Sequence, residues 1–283
     1  MTVRYKKNLK NRYKIITQLG HGGMGAVYKA KDEILNIDVA VKELFNQSKE
    51  AVEQFEKEAK ILARLHHASL PRVTDFFEEQ GKKYLVMDYI EGDDLEKILE
   101  NTSEFLSENR VKEWIIELLN TLQYVHSKGI IHRDIKPANL KQNPSGKIIL
   151  VDFGIAKSGF NSMTNMGATG FTPYMAPPEQ CSGSGRTGVY SDIYSVGATM
   201  YYLLTKTVPA ESIMRIMGIE LIKPSQINRS INKETEKIIL KSMNLEINSR
   251  YSSAKEMKDF LMIATEAGIQ VSTNIFRRDI RKF

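Results

Sequence analysis

The chain has 283 residues, 42% of them hydrophobic, which is enough to bury one large core or two small ones. Its 40 basic and 34 acidic residues give a formal charge of +6, which suits a nucleotide, a nucleic acid or an anionic membrane as partner, or simply scattered surface lysines. A single cysteine, Cys181, excludes an intrachain disulfide framework and suits a reducing compartment.

The sequence shows no segment that would direct the chain to or across a membrane. No apolar run follows the basic N-terminal residues, so no signal peptide is predicted. The longest apolar stretch, 193–204, is too short to span a bilayer and contains Ser195 and Thr199. We therefore expect a cytoplasmic location, either for a soluble protein or for the cytosolic domain of a longer one.

The first elements predict a hairpin with a glycine-rich turn. A strand over 13–19 leads into the turn Gly20–Gly25, and residues 26–31 alternate apolar and polar as a second strand. In a dinucleotide-binding domain such glycines open a helix, whereas here they close a hairpin. Two interpretations stay open: a loop whose backbone N–H groups approach phosphate oxygens, or a hairpin with a loose tip.

Three further strands are predicted before the middle of the chain. The strand 37–44 carries Lys42, at a position where lysine is ordinarily a solvent-facing charge. The segments 72–78 and 82–88 form a second hairpin around Gly81. The N-terminal third is therefore predicted to contain five strands.

One helix is predicted among these strands, over 50–65 with Ser48 as its N-cap. Two acidic residues on it compete for an inward position. Glu58 has apolar residues at i−3 and i+4 and is expected to face the inner side, whereas Glu56 points elsewhere.

From Gly92 onward the pattern becomes helical. Ser107 is predicted to cap a helix whose apolar residues over 111–125 form one broad face. Two more amphipathic helices are predicted over 233–243 and 253–265.

Hard oxygen donors, the kind that bind Mg²⁺ or accept a proton, lie close together in two short segments. Asp134 and Asn139 occur in I-H-R-D-I-K-P-A-N, together with Lys136, and Asp152 occurs in V-D-F-G. This order resembles the catalytic loop and metal-binding turn of eukaryotic-like, bacterial-type serine/threonine protein kinases.

The resemblance implies an α+β, bilobal protein-kinase-like fold. A small, mainly antiparallel β N-lobe with one helix would occupy residues 1–91, and a larger, mainly helical C-lobe residues 92–267. A basic tail would follow over 268–283.

The resemblance also assigns ATP-binding roles. Lys42, held by Glu58, would pair with the α- and β-phosphates, and Asn139 and Asp152 would hold Mg²⁺, for which Mn²⁺ is an acceptable substitute. The residues implied to surround the nucleotide are Leu19, Gly20, Gly22, Gly23, Gly25, Val27, Ala40, Lys42, Met87, Asp88, Tyr89, Ile90, Leu140 and Asp152.

Catalytic and substrate-docking roles are implied for the second lobe. Asp134 would orient the substrate hydroxyl, and Lys136 would offset charge on the γ-phosphate. Thr172 would help to dock the substrate by bridging these two side chains. The form Lys-Pro-x-Asn resembles serine/threonine rather than tyrosine kinases.

Structural and regulatory roles follow from the same resemblance. Asp192 would hold the backbone of the catalytic loop, and Glu179 would pair with Arg250. Arg133 would receive a phosphate carried by the aperiodic loop 155–172, or would merely pack that loop. The candidate phosphosites are Thr164 and Thr169, with Ser162 behind them.

Two places depart from the family pattern. In the substrate-docking segment 172–179, Pro177 stands where the family has alanine, and Tyr174 and Met175 stand where it usually has a glycine-tyrosine pair, which leaves the register of the segment uncertain by about one residue. Lys141 stands where the family usually has an apolar residue under adenine, so either its methylene stem covers the base or Leu140 takes that place.

The expected function is ATP-dependent phosphorylation of serine or threonine in proteins, with autophosphorylation in the loop and self-association for that step. A pseudokinase that binds ATP and signals by shape is the main alternative. A small-molecule kinase is disfavoured by the docking segment and by the residue pair Glu179 and Arg250. Nucleic-acid binding is not expected, because only the basic charge supports it.

Overall fold

The computed structural model describes residues 8–22, 25–153, 172–181 and 187–265. The chain forms two compact units, the first comprising Met1–Gly92 with Lys141–Phe171 and the second Asp93–Leu140 with Thr172–Phe283. The described residues 141–153 group with the first unit.

An antiparallel sheet of six strands forms the centre of the first unit. The strands are β1 Asn8–Leu9, β2 Tyr13–Gly22, β3 Gly25–Asp32, β4 Ile37–Leu44, β5 Val73–Glu79 and β6 Lys82–Asp88. Their order in the sheet is β1-β2-β3-β4-β6-β5. The predicted strand Ile37–Leu44 is confirmed at both ends. The buried core on the sheet is lined by aromatic and branched side chains such as Tyr13, Val41 and Phe77.

The prediction of five strands is wrong by one, because β1 has only two residues and so carries no readable period. Leu9 is buried under the sheet, with 1% of its surface exposed. The next residue, Lys10, donates from its backbone N–H to Glu79 at 3.0 Å and from Nζ to Asp75 at 3.0 Å. The strand pairs with the start of β2, Leu9 opposite Tyr13, and the contacts of Lys10 fasten the turn between these strands to β5.

The helix α1 spans Lys49–Leu62, and the Ser48 hydroxyl accepts from the Ala51 N–H at 3.3 Å, as its predicted capping role requires. The predicted end at Leu65 is wrong by three residues. Leu65 is buried and continues the apolar spacing, but its N–H bonds to the Leu62 carbonyl in an i−3 turn. A small second sheet in the first unit pairs β7 Leu140–Gln142 with β8 Ile148–Leu150.

The described part of the second unit is mainly helical. Its helices are α2 Leu95–Glu100, α3 Glu108–Ser127, α4 Pro178–Cys181, α5 Val189–Thr205, α6 Ser212–Ile216, α7 Pro224–Ile227, α8 Lys233–Ser242 and α9 over 254–265. The central helix α5 is buried along nearly its whole length and packs against α3 and α8. Ser107 caps α3 as predicted, accepting from the Arg110 N–H at 3.4 Å. The short helices α2, α4, α6 and α7 were not predicted, since four to six residues carry too little periodicity.

Hydropathy along these helices bears on membrane insertion. Within the described residues, no helix combines the length and the apolar character that crossing a bilayer would require.

Candidate active site

A cluster of three charged side chains joins three elements of the first unit. Lys42 on β4 places its Nζ 3.1 Å from Oε1 of Glu58 on α1 and 2.8 Å from Oδ1 of Asp152 after β8. Burial alone would lower the pKa of the Lys42 amine. The negative charges of Asp152 and Glu58, and the hydrogen bonds that the amine donates to them, outweigh burial and raise this pKa. The amine is therefore positively charged at every physiological pH.

The two candidate glutamates of α1 have different partners. Glu58 is buried and faces Lys42, as its apolar neighbours on the helix predicted. Glu56 lies 3.1 Å from Nζ of Lys83 on β6, and that amine also contacts Glu78 at 2.8 Å. One face of the helix therefore supports the ion cluster, and another fastens α1 to the strand hairpin.

The glycine-rich turn connects β2 and β3, and Gly23 lies outside the described residues. Packing requires glycine at Gly25, because an added Cβ would lie 2.0 Å from the backbone oxygen of Glu43. At Gly20 and Gly22 an added Cβ would meet nothing within 4 Å. Packing among the described residues therefore does not require glycine at those two positions.

Most of the predicted base-binding residues lie on the strands of the first unit's sheet or directly after them. Ala40 on β4 is opposite Met87 on β6 in the strand register, with Val27 on the neighbouring strand. The Asp88 carboxylate accepts from the backbone N–H and the Nε of Arg72, both at 3.1 Å. The positions of the remaining predicted residues are half-exposed Leu19 on β2, half-buried Tyr89 and Ile90 after β6, and buried Leu140 at the start of β7.

Lys141, the departure from the family pattern, contacts an aromatic ring. Its ammonium lies 6.0 Å from the ring centroid of Tyr89, and that of Lys29 lies 4.4 Å from the same ring. Leu140 before it is buried, with 1% of its surface exposed. The Lys141 ammonium is thus drawn toward Tyr89.

The predicted catalytic loop of the second unit contains a compact group of polar side chains. Nδ2 of Asn139 donates to both the backbone oxygen and Oδ2 of Asp134, at 2.8 and 2.9 Å. Nζ of Lys136 lies 3.3 Å from the same carboxylate and donates to the Thr172 hydroxyl at 3.1 Å. The Asp134 side chain, only 3% exposed, is thus held on two sides by donors.

Asp192 on α5 holds the loop backbone. Its fully buried carboxylate accepts from the N–H groups of His132 and Arg133, at 2.9 and 2.8 Å. Nε2 of His126, in the last turn of α3, lies 2.7 Å from the same carboxylate. His126 was not predicted, because nothing in its local sequence marks a contact 66 residues away.

Arg133 contacts two further residues that sequence reasoning missed. Its Nε donates to the Thr187 hydroxyl at 2.8 Å, and its backbone oxygen accepts from Nε2 of Gln180 at 2.7 Å. The predicted phosphosites Thr164 and Thr169 lie outside the described residues. Both observed partners lie between the docking segment and α5, where no motif singled them out.

Glu179 and Arg250 form the predicted pair. Two guanidinium nitrogens of Arg250 donate to the two carboxylate oxygens of Glu179, at 2.7 and 3.0 Å, and the Ser191 hydroxyl donates to the same carboxylate at 2.8 Å. The Arg250 side chain is fully buried. This bidentate pair fastens α4 to the chain just before α9.

Arg250→Leu is expected to destabilise the protein by about 3–5 kcal/mol, because it leaves the buried Glu179 carboxylate without its cation. Urea unfolding of the variant and the wild type measures the difference. Lys255→Met is the matched control, since it breaks an exposed pair with Asp259 worth under about 1 kcal/mol. Equal losses in the two variants would contradict the buried pair's importance.

The candidate metal ligands Asn139 and Asp152 both offer hard oxygen donors of the kind Mg²⁺ prefers. Asn139 uses Nδ2 to hold Asp134, which leaves its amide oxygen as the atom for a cation, and the Asp152 carboxylate is 45% exposed. Within the described ranges no group of three or more His, Cys, Asp or Glu side chains could hold a metal ion.

Comparison with known proteins gives consistent matches. Residues 13–262 match the protein kinase domain family. Serine/threonine-protein kinase B of Synechocystis sp. is 34% identical over 281 residues, covering 91% of this chain and 47% of the relative. The probable serine/threonine-protein kinase PknB of Lactococcus lactis is 32% identical, covering 98% and 44%. The chain thus spans about half the length of these curated relatives.

Solved structures match in fold. The apo form of PpkA superposes with a TM-score of 0.79 at 24% identity, covering 92% of this chain and 99% of that one. The PknI kinase domain of Mycobacterium tuberculosis superposes with a TM-score of 0.70 at 23% identity, covering 88% and 94%. These likenesses establish the fold.

Proposed function

Because this chain belongs to the protein kinase domain family, we propose that it transfers the γ-phosphoryl group of ATP to serine or threonine hydroxyls of proteins. The observation that carries the proposal is the preassembled loop group, in which Asn139 and Lys136 hold the Asp134 carboxylate and Lys136 also contacts Thr172. A pseudokinase would have no need of a carboxylate held in this way.

The chain's residues act by positioning and by charge. Asp134 accepts the hydrogen bond of the incoming hydroxyl and orients its oxygen toward the phosphorus. Lys136 lies beside that carboxylate and offsets negative charge that develops on the transferred group. Thr172 receives a hydrogen bond from the Lys136 amine and so limits that amine's motion.

The first unit supplies the nucleotide contacts. Lys42, charged and held by Glu58, pairs with the α- and β-phosphates, and the backbone at Gly20 and Gly22 covers them. Family membership implies ATP and a divalent metal in general, and we propose Mg²⁺ on Asn139 and Asp152, with Mn²⁺ as a substitute. When bound, the metal neutralises phosphate charge.

The organisation proposed with this function keeps the N-lobe at 1–91, the C-lobe at 92–267 and the tail at 268–283. We also propose autophosphorylation on Thr164 or Thr169, self-association of two copies for that step, and a cytoplasmic location. The relatives' greater length leaves room for further domains in the whole protein.

The test is transfer of label from γ-labelled Mg·ATP to the chain itself and to a generic basic protein, followed by identification of the modified amino acids. Label on serine or threonine, abolished by EDTA and restored by Mg²⁺ or Mn²⁺, is the expected result. Binding of ATP without any transfer, even by protein phosphorylated in the loop, would replace the proposal with the pseudokinase.

A further inference from the structure

Arg133 adopts a backbone conformation that a non-glycine residue reaches only at a cost, with φ +67° in the left-handed region. Such a residue persists only where its surroundings hold it. Its N–H donates to Asp192 at 2.8 Å, its carbonyl accepts from Gln180 at 2.7 Å, and its Nε donates to Thr187 at 2.8 Å. The residue immediately before Asp134 is therefore held from three sides.

Gln180 is the less ordinary of these partners. Its Nε2 serves the Arg133 carbonyl, while its Oε1 is buried without a hydrogen-bond partner among the described residues. A buried amide oxygen without a partner destabilises a folded protein. The Gln180 side chain therefore contributes here through the hydrogen bond that its Nε2 donates to Arg133.

The segment that carries Gln180 is itself rigidly placed. The preceding residue, Glu179, is clamped by two hydrogen bonds from the buried Arg250. Gln180 therefore transmits the position of that clamp to the Arg133 backbone.

Thr187 contacts the charged end of Arg133. Its hydroxyl accepts from Nε, one of the five N–H donors of a guanidinium group. The contact leaves the guanidinium able to accept an anionic partner in addition. Thr187 thus gives Arg133 a neutral partner that lies outside the loop 155–172.

We propose that Gln180 and Thr187 are positioning residues that hold Arg133, and through it Asp134, in the arrangement for transfer before the loop is phosphorylated. This inference rests on the proposed kinase activity. It assigns the catalytic loop's resting geometry to two neutral side chains instead of to a phosphate.

The experiment uses phosphatase-treated protein in which Thr164→Val and Thr169→Val prevent autophosphorylation during the assay, so that phosphate at these sites cannot stand in for the lost contacts. Gln180→Met removes the donor at nearly unchanged shape, Thr187→Val removes the hydroxyl, and Thr187→Ser restores it. Loss of one hydrogen bond to Arg133 should lower kcat by about tenfold in Gln180→Met and in Thr187→Val, while KM for ATP stays within about twofold of wild type. The kcat of Thr187→Ser should stay within about twofold of wild type.

Thermal unfolding separates positioning from a merely structural role. Gln180→Met also removes the orphaned oxygen, so its midpoint should match wild type while its kcat falls. Thr235→Val is the matched control, since it removes a buried hydroxyl on α8 that donates to the Glu108 carboxylate at 2.7 Å. That control should lose stability and keep its kcat.

Three results would overturn the inference: wild-type kcat in both Gln180→Met and Thr187→Val, a Thr187→Ser variant as slow as Thr187→Val, or activity in untreated wild type that phosphatase abolishes. Wild type that transfers no phosphate in either form would instead refute the proposed function itself, and the inference with it.

Discussion

Asp134→Asn is expected to lower kcat for phosphate transfer by about 10²–10⁴-fold, the range that general acid–base groups contribute. The amide has the same shape but lacks the charge that accepts and orients the substrate hydroxyl. Binding of ATP should change by less than about threefold, because the lost group acts on the incoming hydroxyl. Steady-state transfer and nucleotide titration measure the two quantities.

The matched control for this variant is Asp259→Asn, the same carboxylate-to-amide change at a half-exposed position on α9. That control should transfer phosphate at the wild-type rate. If Asp134→Asn retained more than about a tenth of wild-type activity, another group would have to serve as the acceptor. The free energy of unfolding of Asp134→Asn should also be measured, because Asn139 and Lys136 both contact the Asp134 carboxylate.

Lys42→Met is expected to lower transfer by about 10²–10³-fold and to weaken ATP binding, because it removes the cation assigned to the nucleotide phosphates. It should also cost about 3 kcal/mol in unfolding free energy. Glu58, whose side chain is 1% exposed, would keep a buried charge without its cation, whereas Asp152 is 45% exposed and stays hydrated.

The pH dependence of this loss has a definite sign. The raised pKa of Lys42 means that wild type retains the amine's stabilising contribution at every pH below its unfolded value, about 10.4, and loses it only as pH rises through the folded value. Lys42→Met lacks this titrating amine, so the difference in unfolding free energy between wild type and the variant should shrink only as pH rises above about 10.4.

A double variant separates the two effects of Lys42. Lys42→Met combined with Glu58→Gln removes both the cation and the buried charge, so most of the lost stability should return while transfer stays low. Denaturant titration and transfer assays on the single and double variants measure this. Recovery of activity together with stability would show that Lys42 acts only through folding.

Several features of the fold and the site were predictable because their causes are local. The strand Ile37–Leu44 is favoured by its own β-branched side chains, and the starts of α1 and α3 are set by the capping hydroxyls of Ser48 and Ser107. The inward position of Glu58 follows from helical spacing alone. The catalytic loop was recognisable because its chemistry requires particular residues at fixed separations along the chain.

Other features were decided only by the tertiary structure. The turn after β1 is fastened to β5 by side chains more than sixty residues away, and α1 ends at Leu62 although apolar spacing continues to buried Leu65. The partners of Arg133 and Asp192 lie 47 to 66 residues away in the sequence. Periodicity and capping report the environment of a few neighbouring residues, whereas such contacts arise only when separate elements pack together.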